Sequence, residues 1–136
     1  MERFGDQSHP YADHIGLTID NEKNVSGASF CSLSIDAAIH HNPHHVTNGA
    51  VIYALADIGM GAALYPLLAE GQSCATIEIK ISYFRPAQSG TLICTSKVIN
   101  KGKSIANLES RIMNGDKLVA HATGNFAVLA APPALR

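Results

Sequence analysis

Charge of either sign is scarce in this sequence. Only 15% of its 136 residues are Asp, Glu, Lys or Arg, and the formal net charge is −1 with histidine neutral. So small an imbalance leaves no broad basic face for a phosphate backbone, and nucleic acid is not an expected partner. The apolar fraction of 46% is ample for a core, which excludes a disordered tail. Cysteine is also rare: Cys31, Cys74 and Cys94 stand far apart with no Cys-x-x-Cys pair. An odd number at wide spacing builds no disulfide framework and implies reduced thiols and a cytoplasmic location. The opening residues Met1 to Asp6 show no apolar stretch of the kind that marks a secretory signal. Long apolar runs are missing as well, since the longest is interrupted by Asp57, so no membrane span is expected. There is no internal repeat, and the length suits one domain, residues 1–136.

What is present is one apolar helix amid alternating segments. Met1 to Asp13 is polar and suits a short helix; His14 to Asp20 and Val25 to Ile35 alternate and suit strands. His40 to His45 is expected as a loop, because Asn42 and Pro43 break regular structure. Asn48 to Leu68 reads as a helix with Asn48 as N-cap. Apolar almost all round, it must be enclosed by other structure. Gly59 and Gly61 within it point to close approach of another backbone, and Pro66 bends or ends it near its last turn. Beyond Gly71 the period changes to two. Ala75, Ile77, Ile79, Ile81 and Tyr83 face one way, Thr76, Glu78, Lys80, Ser82 and Phe84 the other, and Arg85-Pro86 closes the strand. Thr91 to Asn100, Ser104 to Met113 and Lys117 to Leu129 are further strands, with Asn114-Gly115 expected as a type I′ hairpin turn. The last four strands are expected as a meander. The fold class is α+β, a sheet curled around one helix.

Asp57 fits two readings. It is a structural acid on the thin polar edge of the helix, or a carboxylate held at a reactive site. Gly49, taken alone, reads as a turn residue, yet its amide is an unpaired donor at the positive end of the helix, as an oxyanion site requires. The two positions lie eight residues apart, about 12 Å along a helix. That is too far for both to reach one reacting carbonyl and its attacking water from one chain. If both act on one substrate, two copies of the chain supply them, which implies a homodimer with the site at its interface. His40, His41, His44 and His45 crowd one loop, but Pro43 breaks any i, i+4 ligand geometry, so no metal and no cofactor is expected. The cysteines suit the core better than a nucleophilic role.

These residues, in this order, resemble the hotdog-fold acyl-CoA thioesterases of the PaaI-like, phenylacetate-degradation branch. The markers are Asn42-Pro43, the run Asn48 to Asp57, the strand Thr76 to Ala87, the turn Lys101-Gly102-Lys103, and the ending Leu118 to Phe126. The resemblance implies an antiparallel sheet of five or six strands wrapped around one long helix, an acyl-CoA substrate, and dimers paired into homotetramers. It assigns Asp57 as general base or nucleophile, Gly49 as the amide that polarises the carbonyl, Asn42 as an orienting side chain, and Thr76 as a hydroxyl beside the acid. Where the family has His-Gly-Gly, this chain has Asn48-Gly49-Ala50. Asn48 can hydrogen-bond a substrate but cannot carry a proton near neutral pH. Arg85, Lys101 and Lys103 are candidates for the nucleotide phosphates of coenzyme A, or are simply solvated. An aromatic or short-to-medium acyl group is what the branch implies. Two alternatives remain: a hotdog enoyl-CoA hydratase or dehydratase, whose motif needs an acid where His40 stands, and a non-catalytic acyl-CoA-binding module.

Overall fold

The computed structural model describes residues 9–131. The first part of the helix expected over Met1 to Asp13, and most of the tail, lie outside them. Helix α1 spans Pro10–Ile15; proline stands in its first turn and Gly16 closes it in the left-handed conformation. Strands β1 (Leu17–Ile19) and β2 (Ala28–Ser34) follow. The four-residue α2 (Ala37–His40) leads to the central helix α3 (Gly49–Leu64), which continues into a 3₁₀ turn at Tyr65–Leu67. The remaining strands are β3 (Gln72–Tyr83), β4 (Thr91–Lys101), β5 (Ile105–Asn114) and β6 (Lys117–Ala130).

The N-terminus of α3 forms as its residues require. Asn48 is the N-cap, and its side-chain oxygen accepts the Ala50 N–H at 2.9 Å. From Val51 to Leu64 nearly every residue is buried, because the six antiparallel strands form one sheet that curls around the helix. This is the hotdog arrangement. The stretch Gly49–Leu67 is 19 residues long and apolar enough by composition to cross a bilayer. The expectation that no run reaches spanning length is thereby corrected. Burial against the sheet identifies the stretch as the core helix of a soluble fold.

Strand order is β1-β2-β4-β5-β6-β3, which corrects the expected meander. Only β4, β5 and β6 follow one another; β3 pairs with β6 at the edge, and β4 pairs with β2. Alternation tells which face a residue takes but not which strand lies beside it. Inward positions explain the outcome. Leu92, Cys94 and Ser96 of β4 are almost wholly buried, as an interior strand requires, whereas most of β3 is exposed or half-buried. The β5–β6 turn is corrected too. Asn114 pairs with Lys117, so the turn residues are Gly115 and Asp116. Gly115 has φ of 63° and Asp116 is not among the positive-φ residues, the pattern of a II′ turn with glycine first.

His40 differs from its expected place in a loop. It ends α2 and is only 2% exposed. Its Nδ1 accepts the Asp36 N–H at 2.8 Å, so the proton sits on Nε2, which donates to the Ile15 carbonyl at 2.6 Å. The His40 carbonyl in turn accepts the Asn48 N–H at 2.8 Å. One buried ring thus ties α1 and α2 to the start of α3. Replacing it by leucine (His40→Leu) leaves two polar groups unpaired. The expected loss is about 2–4 kcal/mol in urea denaturation, and a variant as stable as the wild type contradicts the assignment.

Candidate active site

Asp57 lies near the middle of α3 on the narrow stripe that the sheet does not cover. Ala50 and Tyr53 share this stripe, at the i, i+3, i+7 spacing of one helix face. Its Oδ1 accepts a hydrogen bond from Thr76 Oγ1 at 2.6 Å. The two residues line a cleft of about 200 Å³ with His9, Ile58, Gly61, Cys74, Ala75 and Phe126.

Thr76 reaches this position through a departure from strict alternation. The register of β3 against β6 slips between Thr76 and Glu78, leaving Ile77 as an extra residue. Before the slip Thr76 pairs with the inward-facing Phe126; after it Ile79 pairs with Gly124 and Tyr83 with Ala120. An odd separation of seven residues would send Thr76 and Tyr83 to opposite faces in a regular strand. The bulge flips the phase once, so both face the helix. The expected grouping of Ile77 with Ile79 and Ile81 is corrected: Ile77 is 55% exposed, while the other two pack against the core.

Tyr83 meets the helix at its other end. Its hydroxyl donates to the Gly49 carbonyl at 2.7 Å. Burial, and then the neighbouring Tyr53, push this phenol above its ordinary pKa. A Cβ on Gly49 would lie 3.3 Å from the Tyr83 ring, so glycine is what lets the tyrosine lie against the first turn. The Gly49 N–H itself has no hydrogen-bond partner among the described residues. A second cleft, of about 340 Å³, opens here between Thr47, Gly49, Ile52, Tyr83, Phe84, Arg85 and Pro86. It shares no residue with the cleft around Asp57. A single chain therefore holds Asp57 and Gly49 in two separate clefts, both bordering the edge strand β3.

The other candidates are placed as follows. Asn42 sits in the loop before α3, where its Oδ1 accepts the His44 N–H at 2.9 Å. Its carbonyl oxygen shapes the loop and its Nδ2 is the group left to point elsewhere. The same holds for Asn48, whose Oδ1 caps the helix. Arg85 joins Gly49 in one cleft, but Lys101 and Lys103 lie at the β4–β5 turn, at the opposite end of the sheet. The histidines of the loop do not converge: His40 turns into the core, His41 Nε2 lies 2.8 Å from the Gln88 carbonyl, and His44 and His45 are exposed. His9 was read only as part of a polar N-terminal segment, yet it caps α1 and lines the Asp57 cleft; nothing in its local spacing signals this. A cleft of about 430 Å³ on the outer face of the sheet holds Lys23, Phe30, Lys97, Glu109 and Arg111. It contains none of the candidates, and its Lys97 and Glu109 are paired at 3.0 Å.

Comparison with known proteins gives these features a context. Residues 44–121 match the thioesterase superfamily, and the chain belongs to that family. A conserved protein of Pseudomonas aeruginosa shares the fold with a TM-score of 0.83 and 27% identity, covering 94% of this chain and 100% of that one. The phenylacetic acid degradation-related protein of Ralstonia eutropha superimposes with a TM-score of 0.78 and 27% identity, over 90% of this chain and 93% of its own. A protein of Archaeoglobus fulgidus named "Putative esterase" is 31% identical over 87 residues, 62% of this chain. The chain spans about half the length of that curated relative, 54%. The PaaI-like, hotdog thioesterase resemblance read from the motifs is thus supported by family and fold together.

Cys74, beside Asp57, is not built as a nucleophile. Burial, followed by the charge of Asp57, pushes its thiol from 9.0 to about 11, and the thiolate is the reactive form. Burial likewise raises Cys94 to about 11 and Cys31 further. A raised pKa means less thiolate at any lower pH. Alkylation of Cys74 by iodoacetamide should climb about tenfold per pH unit up to about pH 10 and flatten only around pH 11. A plateau near the ordinary thiol value contradicts the assigned environment.

Proposed function

We propose that this chain hydrolyses acyl-CoA thioesters at sites shared by two copies. The observation that carries the reading is the separation of the two half-sites along one open strand edge. Thr76 marks the Asp57 half and Tyr83 the Gly49 half. Antiparallel pairing of β3 with its copy, about a two-fold axis at Lys80 and with the bulged Ile77 unpaired, sets Thr76 opposite the partner's Tyr83. Asp57 then faces the partner's Gly49. The same pairing satisfies the open edge of a 12-residue strand, which otherwise invites uncontrolled association. It also brings the Arg85 end of one sheet toward the Lys101 and Lys103 end of the other, where both can meet nucleotide phosphates.

In this arrangement the Gly49 N–H and the positive end of α3 face the thioester oxygen and stabilise the charge that develops on it. One such donor contributes about 3 kcal/mol. Thr76 occupies Oδ1 of Asp57 and orients the carboxylate, leaving Oδ2 to act. As general base, Oδ2 takes a proton from water; the hydroxide oxygen adds to the carbonyl carbon, the C–S bond breaks, and coenzyme A leaves as thiolate to be protonated. As nucleophile, the carboxylate itself adds and water opens the anhydride. In single turnover in ¹⁸O-water, label appearing in Asp57 marks the nucleophilic route, with water opening the anhydride at the Asp57 carboxyl carbon. Asn42 and Asn48 orient substrate through their Nδ2 groups. The exposed aromatic rings of Tyr53, Tyr83 and Phe84 near Gly49 suit an apolar, aromatic or short-to-medium acyl group. Dimers pair into tetramers in the cytoplasm. The hydratase alternative is disfavoured at position 40, where the ring nitrogens of the buried histidine are both engaged.

Asp57→Asn should lower kcat by about 100-fold or more with the fold intact. Gly49→Pro removes the amide and also sets ring atoms against Tyr83, where a Cβ would lie 3.3 Å away. Proline suits the first helical position, and Asn48 already has the extended conformation, ψ 136°, that a following proline requires. Each variant alone should be nearly inactive in a thiol-release assay. Refolded together in equal amounts, they should recover about a quarter of wild-type activity, since half the dimers then carry one intact site. No recovery sinks the shared site, and full activity of Asp57→Asn sinks the role of Asp57 as the reacting acid.

A further inference from the structure

The central helix lacks the feature that normally sets a helix's rotation. Its buried residues run all round it and many are alanine or glycine, so apolar packing, which is non-directional, distinguishes poorly between one rotation and the next. The direction comes from the sheet. On the inner face of β2, β4 and β5, among leucines and isoleucine, stand four buried polar side chains: Ser29, Cys94, Ser96 and Ser110. Ser29 Oγ donates to the Gly59 carbonyl at 2.5 Å, Cys94 Sγ to the Leu55 carbonyl at 3.4 Å, and Ser110 Oγ to the Ala56 carbonyl at 3.2 Å. Ser96 Oγ lies 2.6 Å from Ser110 Oγ and 3.6 Å from Cys94 Sγ. With Ser110 donating to the helix, Ser96 donates to Ser110 and joins the chain.

The three carbonyls bracket Asp57 in sequence. Gly59 is two residues on, about 200° around the helix axis, so a helix held at Gly59 against the sheet presents Asp57 on the far side. Gly59 is matched to this contact: a Cβ there would lie 2.5 Å from Ser96 Oγ and 3.2 Å from Cys94 Sγ. We propose that Ser96 and Ser110, with Ser29 and Cys94, are positioning residues that set the rotation and axial register of α3 and so aim the Asp57 carboxylate at Thr76. Hydrogen bonds are directional and supply what the apolar surface lacks. The inference rests on Asp57 being the reacting acid.

The test compares Ser96→Ala/Ser110→Ala with Leu108→Val, a control on the same face of β5 that lowers stability without touching a helix carbonyl. The double variant should fold, because helix carbonyls keep their own backbone partners. Its kcat for acyl-CoA cleavage should fall about 10- to 100-fold with KM within about twofold, while Leu108→Val keeps kcat within about twofold at a comparable loss of Tm. Gly59→Ala, which displaces Ser96 from the helix side, should reproduce the kcat loss. A readout independent of turnover is the carboxyl ¹³C resonance of Asp57. It should move in the double variant in the same sense as in Thr76→Val, and stay in place in Leu108→Val. An unchanged resonance, or a kcat that only tracks Tm across all variants, overturns the positioning role. Full activity of Asp57→Asn overturns the underlying reading instead, and the resonance still decides whether the serines aim the carboxylate.

Discussion

A helix with no polar face has to be enclosed, and this requirement shapes the rest of the molecule. Enclosure takes a sheet broad enough to curl, which six strands provide, and a curled sheet that does not close leaves two edges. One edge is the three-residue β1, short enough to be harmless; the other is the long β3. The stripe of α3 that the sheet leaves uncovered runs beside β3 and carries Asp57. The uncovered Asp57 carboxylate and the open strand edge are thus one consequence of wrapping a sheet incompletely around an apolar rod.

The edge strand is specialised accordingly. A regular strand cannot present Thr76 and Tyr83 to the same side, and the single extra residue at Ile77 resolves this. It gives the helix a hydroxyl donor at each of two places, one on the Asp57 side chain and one on the Gly49 carbonyl. Between these contacts β3 offers its free backbone groups to a partner. The proposed two-copy site follows from lengths: the helix holds acid and amide about 12 Å apart, and a second copy, inverted, would close that distance.

Inside the wrap, polar groups appear where apolar ones would serve packing equally well. Ser29 and Ser110, at inward positions of β2 and β5, sacrifice apolar contact for hydrogen bonds to helix carbonyls. In phase with the buried apolar residues of their strands, they are visible in the sequence as polar residues at core positions. Their partners are backbone atoms, which no spacing rule reveals. His40 is comparable: a histidine in a His-rich, Pro-containing segment looks like part of an exposed loop, but its two ring nitrogens are spent on one amide and one carbonyl from different elements.

The sequence alone determined the local events, because these depend on neighbours along the chain. The Asn48 cap, the all-round apolar helix, the bend or end at Pro66, the number of strands after it and the residues that resemble the thioesterase motif were all legible. Asp57 and Gly49 were legible as candidates, the one as an acid within an apolar helix and the other as an amide at its start. Only the tertiary structure decided which strand lies beside which, since alternation fixes faces and is silent about neighbours. It alone decided that β3 sits at the edge rather than next to β4, that one bulge turns Thr76 inward, and that Arg85 and the Lys101–Lys103 turn lie at opposite ends of one chain. These depend on contacts between residues far apart in sequence, where the free energy of pairing, and not local preference, makes the choice.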